Sequence, residues 1–458
     1  MQKNKILDYD QVIEELKKIS KNNIFSNNDI GITSHGLPIT QYVVGNGSRH
    51  VVITGATHGS EIITTDFVIN LMKDIEKKYT NWNKNLENYT IHFIPILNPE
   101  GYLISTSAIR TLIPRDMPLE DAEKLCKQYY LNFKADDLSN SKLKKHQQVF
   151  ENADYTCIPE KYSSIRESVK NIFDKYTDLP KGCLATWSSN GNGIDIQANT
   201  KYNPTVDEIN DGFDIYMTPR RYNNINISHP GPINCPFDAS VGDFKYENET
   251  LAILNLLDSL NKENKLFAYL NYHSTGGVIY QRPSVKPLGL NVSSSQIVRN
   301  EIFNYLCSRM YADKTIKDKN TDSSYFINPF GESDINTKLD VINDVDSKRN
   351  IVNSKATSTN DIFRLQYPLD LLIELSPMSG NPIGPYGDID GNYNNVISSN
   401  MSAVKQLFEY APLLSKITDE CEKFFSRLNT SNISDDRRYD IQSRLLDYAY
   451  VELMEKIK

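Results

Sequence analysis

Arg49 to Tyr79 reads RHVVITGATHGSEIITTDFVINLMKDIEKKY, and this stretch decides the fold. Val51, Val52 and Ile53 are β-branched and bounded by Gly55, the pattern of a short buried strand. From Glu61 the spacing turns helical, with Ile62, Ile63, Phe67, Val68, Leu71, Met72 and Ile75 on a broad apolar face. Between strand and helix stands His58-Gly59-Ser60-Glu61, an imidazole and a carboxylate at a strand's exit. In open α/β sheets, sites form just beyond the carboxyl ends of strands. An imidazole and a carboxylate placed there could share one zinc ion, with a third ligand and a base to be sought elsewhere in the chain.

Upstream, Asp8–Asn22 has Tyr9, Val12, Ile13, Leu16 and Ile19 at helical spacing. Ile30–Asn46 alternates around Gly36-Leu37-Pro38 and predicts a hairpin. Downstream, Tyr89–Leu97 reads as a strand that ends in Asn98-Pro99-Glu100-Gly101-Tyr102, a turn by composition. Residues 103–181 are mainly helical in pattern, in pieces Leu119–Tyr130, Lys142–Asn152 and Tyr162–Tyr176. The strand pattern resumes afterwards, so this segment reads as an insertion into the α/β body. Trp187–Asn199 holds a Gly/Asn turn and a short apolar segment, and Thr200–Pro236 is loop-like. Tyr246–Leu260 and Ser294–Met310 read as helices, Phe267–His273 and Leu369–Leu375 as strands. The expected organisation is a body over residues 1–390 and a helical C-terminal extension over 391–458, with a break at Asn429–Asp435.

With 458 residues, 24% charged and 39% hydrophobic, the chain has room for a sizeable core. Its net charge of −8 is spread without a basic stripe, which argues against nucleic acid as a partner. Met1–Asn22 lacks an apolar signal core and no apolar run is long enough to span a bilayer, so the expected setting is cytoplasmic, away from membranes. The six cysteines are scattered with no CxxC pair, which fits free thiols rather than a disulfide framework or a thiolate zinc site.

His58, Glu61, His273 and Glu374 all sit at the ends of apolar strands. Any one of them alone is more often a surface or satisfied core residue than a ligand. Together, two histidines and a carboxylate leave a fourth zinc position open, the arrangement of catalytic rather than structural sites. Glu374 lies in an otherwise apolar strand, where a carboxylate is expensive unless it is paired or working. A carboxylate beside zinc-bound water is what a hydrolase needs to take up its proton.

His58-x-x-Glu61, the Pro95–Tyr102 turn, Gly193-Ile194-Asp195-Ile196, His273-Ser274 and Glu374 after a hydrophobic strand together resemble the zinc carboxypeptidase family, in that order. The resemblance spans roughly residues 30 to 390 and leaves out the helical tail. It implies an α/β fold, a mixed, mostly parallel eight-stranded sheet flanked by helices. It also implies one zinc ion per chain held by His58, Glu61 and His273, with Glu374 as general base. Asp195 matches the family's acidic residue that hydrogen-bonds the first histidine ligand and fixes its tautomer.

Departures from the family pattern concern substrate. Where the family reads Asp-x-Asn-Arg-Asn, this chain has Asp195-Ile196-Gln197-Ala198-Asn199, so the carboxylate-clamping arginine is Ala198. The carbonyl-polarising arginine expected after Trp187 is Ser188, and Ser60 replaces a residue that is basic in many digestive relatives. The family's active-site tyrosine has no counterpart within Arg349–Asp361. Gln197 and Asn199 are candidate substrate contacts, and Arg110, Arg115, Arg282 and Arg364 are candidate substitute cations, with Arg110 favoured. Thr359 or Asn360 would form the base of a polar, uncharged pocket. The resulting expectation is a zinc metallopeptidase of the carboxypeptidase type acting on a peptide or peptide-like substrate. Two alternatives stay open: an amidase cutting murein peptides after γ-linked D-glutamate, and a pseudo-peptidase that binds peptide or protein without catalysis.

Overall fold

Val51 and Ile53 point to one face of the sheet and Val52 to the other, and all three are fully buried, which makes their strand a central one. The computed structural model describes residues 5–118, 120–122, 124–125, 153–175, 183–197, 199, 246–276, 278–280, 295–315, 326–327, 367–377, 393–429 and 431–457. The strands are β1 (Ser26–Ile32), β2 (Pro38–Val44), β3 (Arg49–Thr54), β4 (Tyr89–Ile94), β5 (Leu266–Gly276), β6 (Val278–Tyr280), β7 (Phe326–Ile327) and β8 (Leu369–Pro377). Among the described residues they form one mixed sheet in the order β1-β2-β4-β3-β5-β8-β6-β7. Six of these strands make its body, since β6 and β7 are only three and two residues long. β4, β3, β5 and β8 run parallel at its centre. The expected hairpin is β1–β2, antiparallel, with a bulge between Asp29 and Gly31.

Helices cover both faces. They are α1 (Tyr9–Ser20), α2 (Ile62–Lys77), α3 (Tyr79–Asn88), α4 (Pro99–Ile109), α5 (Ser163–Lys175), α6 (Asn248–Lys262), α7 (Ser295–Lys314), α8 (Tyr393–Asn429) and α9 (Asp435–Ile457). Val51 and Ile53 join a core with Phe67, Leu71 and Met72 of α2. Val52 joins a second core with Ile253 and Leu257 of α6. Each such side chain stabilises the fold by roughly 1.5–3 kcal/mol through burial. α1 is closed by a capping box, Asp8 and Gln11 each accepting from the other's backbone N–H.

The C-terminal helices pack on the body. α8 lies along α7 and touches α2. Its Phe408 stacks on Tyr89 with ring centroids 5.1 Å apart, and the Tyr393 hydroxyl donates to the buried Asp66 of α2. The expected break falls between α8, which ends at Asn429, and α9, which begins at Asp435. No helix among the described residues is long and apolar enough to cross a membrane.

One sequence reading is corrected. Asn98–Tyr102 is not a turn but the start of α4: Asn98 is the N-cap, its side chain accepting from Gly101 N, and Pro99 opens the helix. Proline is preorganised for that first position, so the same residues that break a strand begin a helix. Within the segment expected to be an insertion, 103–109 belong to α4 and are buried in the core. The expected helix Tyr162–Tyr176 is α5, whereas Lys142–Asn152 and the part of Leu119–Tyr130 from Cys126 onward lie outside the described residues.

Candidate metal centre

The chain leaves β3 through Gly55 and Ala56, then His58 and Glu61 before α2 begins at Ile62. Ala56 has φ 47°, left-handed backbone that costs a non-glycine residue roughly 1–2 kcal/mol. Its neighbours hold it there: Ala56 N donates to Thr64 Oγ1, whose hydroxyl donates to Glu61 O, and Asn98 N donates to Ala56 O. Non-glycine residues in this region cluster at functional sites, where the surrounding contacts over-determine them.

The loop carries His58 and Glu61 to the carboxyl end of the sheet, where β5 presents His273. His58 Nδ1 lies 2.7 Å from Glu61 Oε1, and His273 Nδ1 lies 3.0 Å from Glu61 Oε2. The two Nδ1 atoms are 3.2 Å apart, with the rings edge to face at 4.8 Å between centroids. All three side chains are buried, and their ligating atoms fall within 4.8 Å of one another. On the far side of its ring, His58 Nε2 faces Asp195 Oδ1 at 3.2 Å. That contact fixes which nitrogen of His58 turns toward Glu61. His273 Nε2 is buried without a hydrogen-bond partner among the described residues, so only one of the two imidazoles is braced in this way.

Electrostatics sharpen the picture. Burial opposes a charge on His58, but the Glu61 and Asp195 carboxylates outweigh it and hold its pKa well above the usual imidazole range. Burial likewise opposes charge on Glu61, while His58 and His273 pull its carboxyl below the usual range. The group therefore favours positive charge at its centre. Two imidazole nitrogens and a carboxylate oxygen within 4.8 Å of one another, with a carboxylate behind one imidazole, form a donor set that fits zinc. The residues present fit the ion.

Glu374 of β8 is the register partner of His273 on β5, so both side chains leave the same face of the sheet. Burial, then the nearby Glu61 carboxylate, push its pKa above the usual range, while His58 draws it down. Asn271, two residues before His273, accepts from Thr54 and Thr57 hydroxyls and donates to Gln197 Oε1 at 3.1 Å. Ser60 and Ser188 are both buried, with their hydroxyls 3.5 Å apart.

The structure does not bring the favoured substitute cation to the site. Arg110 caps α4, and its guanidinium bonds Asp8, Gln11 and the carbonyls of Ile6, Ile113 and Pro114. Its donors are consumed in tying α1 to the end of α4, so the expectation of a substrate clamp at Arg110 is corrected. Arg115 pairs with Asp8 at 2.6 Å and is largely exposed. Asn199 Oδ1 accepts from Glu247 N at the start of α6. Ala198, Arg282, Thr359, Asn360 and Arg364 lie outside the described residues. Sequence reasoning missed the parts played by Asn98 and Glu100. The signal that could have found them is Asn-Pro directly after a strand, an N-cap followed by proline at the first helical position.

Residues 10–153 match the family model described as zinc carboxypeptidase. No curated protein matches the chain. Among solved structures, the chain is similar to bovine thrombin-activatable fibrinolysis inhibitor in complex with tick carboxypeptidase inhibitor, at 12% identity and a TM-score of 0.47, covering 89% of this chain and 97% of that one. It is also similar to carboxypeptidase A from Helicoverpa armigera, at 13% identity and a TM-score of 0.48 over 90% and 74% of the two chains. A metallo-carboxypeptidase from Burkholderia cenocepacia follows at 10% identity and a TM-score of 0.42, over 87% and 69%. The matched segment contains His58 and Glu61, while Asp195, His273 and Glu374 lie beyond it. The zinc carboxypeptidase pattern read from the sequence is thus met by the family's own model over residues 10–153.

Proposed function

We propose that this chain is a zinc-dependent peptidase of the carboxypeptidase type, with His58, Glu61 and His273 as metal ligands and Glu374 as general base. The observation that carries the reading is the convergence of both Nδ1 atoms on one buried carboxylate, with Asp195 behind His58. A zinc ion bound there would polarise a scissile carbonyl and make its water acidic enough to ionise near neutral pH. Asp195 holds the His58 ring so that Nδ1 remains a donor of electrons toward that centre. Glu374 has the environment of a proton carrier, since burial and the Glu61 charge raise its affinity for a proton toward the neutral range. It would take a proton from the attacking water and release it to the leaving amine. Buried Ser60 and Ser188 give the site a neutral lining where digestive relatives carry cations, which favours a substrate chosen by hydrogen bonds rather than by an arginine at those positions.

The test is product analysis by mass spectrometry on zinc-loaded protein and its Glu374→Gln variant. The panel contains peptides with free C-termini, C-terminally amidated peptides and L-Ala-γ-D-Glu-diaminopimelate. The expected result is amide cleavage by the wild type and a loss of about 10²–10⁴ in rate in Glu374→Gln at unchanged zinc stoichiometry. Equal rates in both proteins would overturn the role of Glu374. Zinc bound tightly with no substrate cleaved would turn the reading toward a peptide-binding pseudo-peptidase, and cleavage confined to the murein peptide would give the amidase.

A further inference from the structure

Asn98 and Glu100 open α4 and lie where three stretches of chain meet: the loop after β3, the turn before β2, and residues 187–197. The side chain of Asn98 does two things at once. Its Oδ1 accepts from Gly101 N at 2.9 Å as a helix cap, while its Nδ2 donates to Thr57 O at 3.2 Å and to Ser188 O at 3.4 Å. Thr57 is the residue before His58, and Ser188 O also accepts from Gly59 N at 3.4 Å. Asn98 therefore joins the loop that carries His58 and Glu61 to the segment that leads to Asp195.

Glu100 is fully buried and holds the same loop further on. Its Oε2 accepts from Gly191 N and its Oε1 from His35 N, both at 2.9 Å. Beyond that grip the segment is fixed by Asn190, whose Oδ1 accepts from Asn192 N and Ile194 N at 3.0 Å each. The next residue, Asp195, reaches His58 Nε2. The backbones themselves are in contact. A Cβ on Gly59 would lie 2.1 Å from the Gly101 carbonyl carbon, and one on Gly101 would lie 2.4 Å from Ser189 O. Only residues without a side chain allow this approach.

We infer that Asn98 and Glu100 are positioning residues for the metal group: Asn98 sets the backbone beside His58, and Glu100 sets the loop that delivers Asp195 to its imidazole. Neither touches the ligating atoms. The inference rests on the metal-binding reading proposed above. A helix-capping role alone would need only Asn98 Oδ1, and the two donations from Nδ2 would be incidental.

Asn98→Asp separates the two roles. It keeps an acceptor for Gly101 N, as aspartate caps helices about as well as asparagine, and it sets a carboxylate against the carbonyls of Thr57 and Ser188. Zinc affinity would be measured by chelator competition on full-length wild type, Asn98→Asp and Leu453→Ala, the last removing a buried contact in α9 far from the loops. The His58 ring resonances would be followed by NMR in the metal-free proteins. The expected result is zinc affinity weaker by about 10–100-fold in Asn98→Asp with a moved His58 resonance, and neither change in Leu453→Ala despite a lower thermal midpoint. Wild-type affinity and an unmoved His58 resonance in Asn98→Asp would overturn the inference. A wild type that does not bind zinc would instead sink the metal reading, and the metal-free NMR comparison would still decide whether Asn98 positions His58. If Asn98→Asp does not fold, Glu100→Gln carries the same measurements, because it leaves an amide facing one of the two N–H groups that Glu100 accepts.

Discussion

The sheet carries two histidine pairs, and their surroundings make them opposites. His58, on the loop after β3, meets His273 near the carboxyl end of β5, with Glu61 between them and Asp195 behind. His50 and His92 meet within the sheet on β3 and β4, His50 Nδ1 lying 2.8 Å from His92 Nε2. Among the described residues the second pair has no carboxylate between its rings; His92 Nδ1 instead faces Gln41 Oε1 at 3.0 Å, and Gln41 turns its amide to Asn28. Burial and the neighbouring imidazole hold the pKa of His92 down, to about 4. Burial, then Lys265, lower that of His50, with Glu263 opposing. In the first pair the carboxylates reverse the effect of burial and raise His58. Imidazoles 3 Å apart are thus a neutral structural contact or the start of a cation site depending on the acids around them. Proximity of histidines alone does not identify a metal centre.

The largest expected effect removes the acid that makes the difference. Glu61→Gln leaves the shape of the group but takes away the charge between the two imidazoles, and chelator competition should show zinc affinity falling by more than about 100-fold. Retained affinity would mean that the two histidine pairs differ less than their surroundings suggest.

The next test concerns stability against pH. His92 has a folded pKa of about 4 against an unfolded value near 6.5, so its contribution is fully present above pH 6.5 and is lost as pH falls through 4. At full extent the shift corresponds to about 3 kcal/mol. Glu249 has the opposite sign. Its carboxyl is raised by burial and by Glu100, so its contribution is present at low pH and lost as pH rises past its unfolded value. Comparing urea unfolding of wild type and His92→Gln from pH 7 to pH 4 cancels the Glu249 part. The wild type should lose more stability over that interval than the variant; parallel curves would show that His92 does not fold as a neutral ring.

The smallest effect is expected at His50, half of the neutral pair and partly exposed. His50→Asn should cost about 1 kcal/mol, the net worth of one hydrogen bond, and leave zinc affinity unchanged. A change in zinc affinity there would couple the two pairs through β3, where none of the contacts described predicts coupling.

Much of this was legible in the chain itself. β-branched Val51–Ile53, the switch to helical spacing at Glu61 and the apolar runs ending in His273 and Glu374 report local periodicity, which depends on burial within each element. The His58-x-x-Glu61 pair was readable because both residues lie on one loop, three positions apart. Asn98–Tyr102 was misread because Asn, Pro and Gly serve turns and helix starts alike, and only the chain beyond decides between them. What tertiary structure alone decided are the relations between distant segments. Arg110 turned to Asp8 instead of the site, a contact between residues 102 positions apart. Asn98 and Glu100 came to lie under the Ser188–Asp195 loop, and His50 met His92 through the parallel register of β3 and β4. Residue type and local spacing set what each side chain can do. Which charges and hydrogen-bond partners surround it depends on packing, and that is why one histidine pair closes on a carboxylate and the other on a glutamine amide.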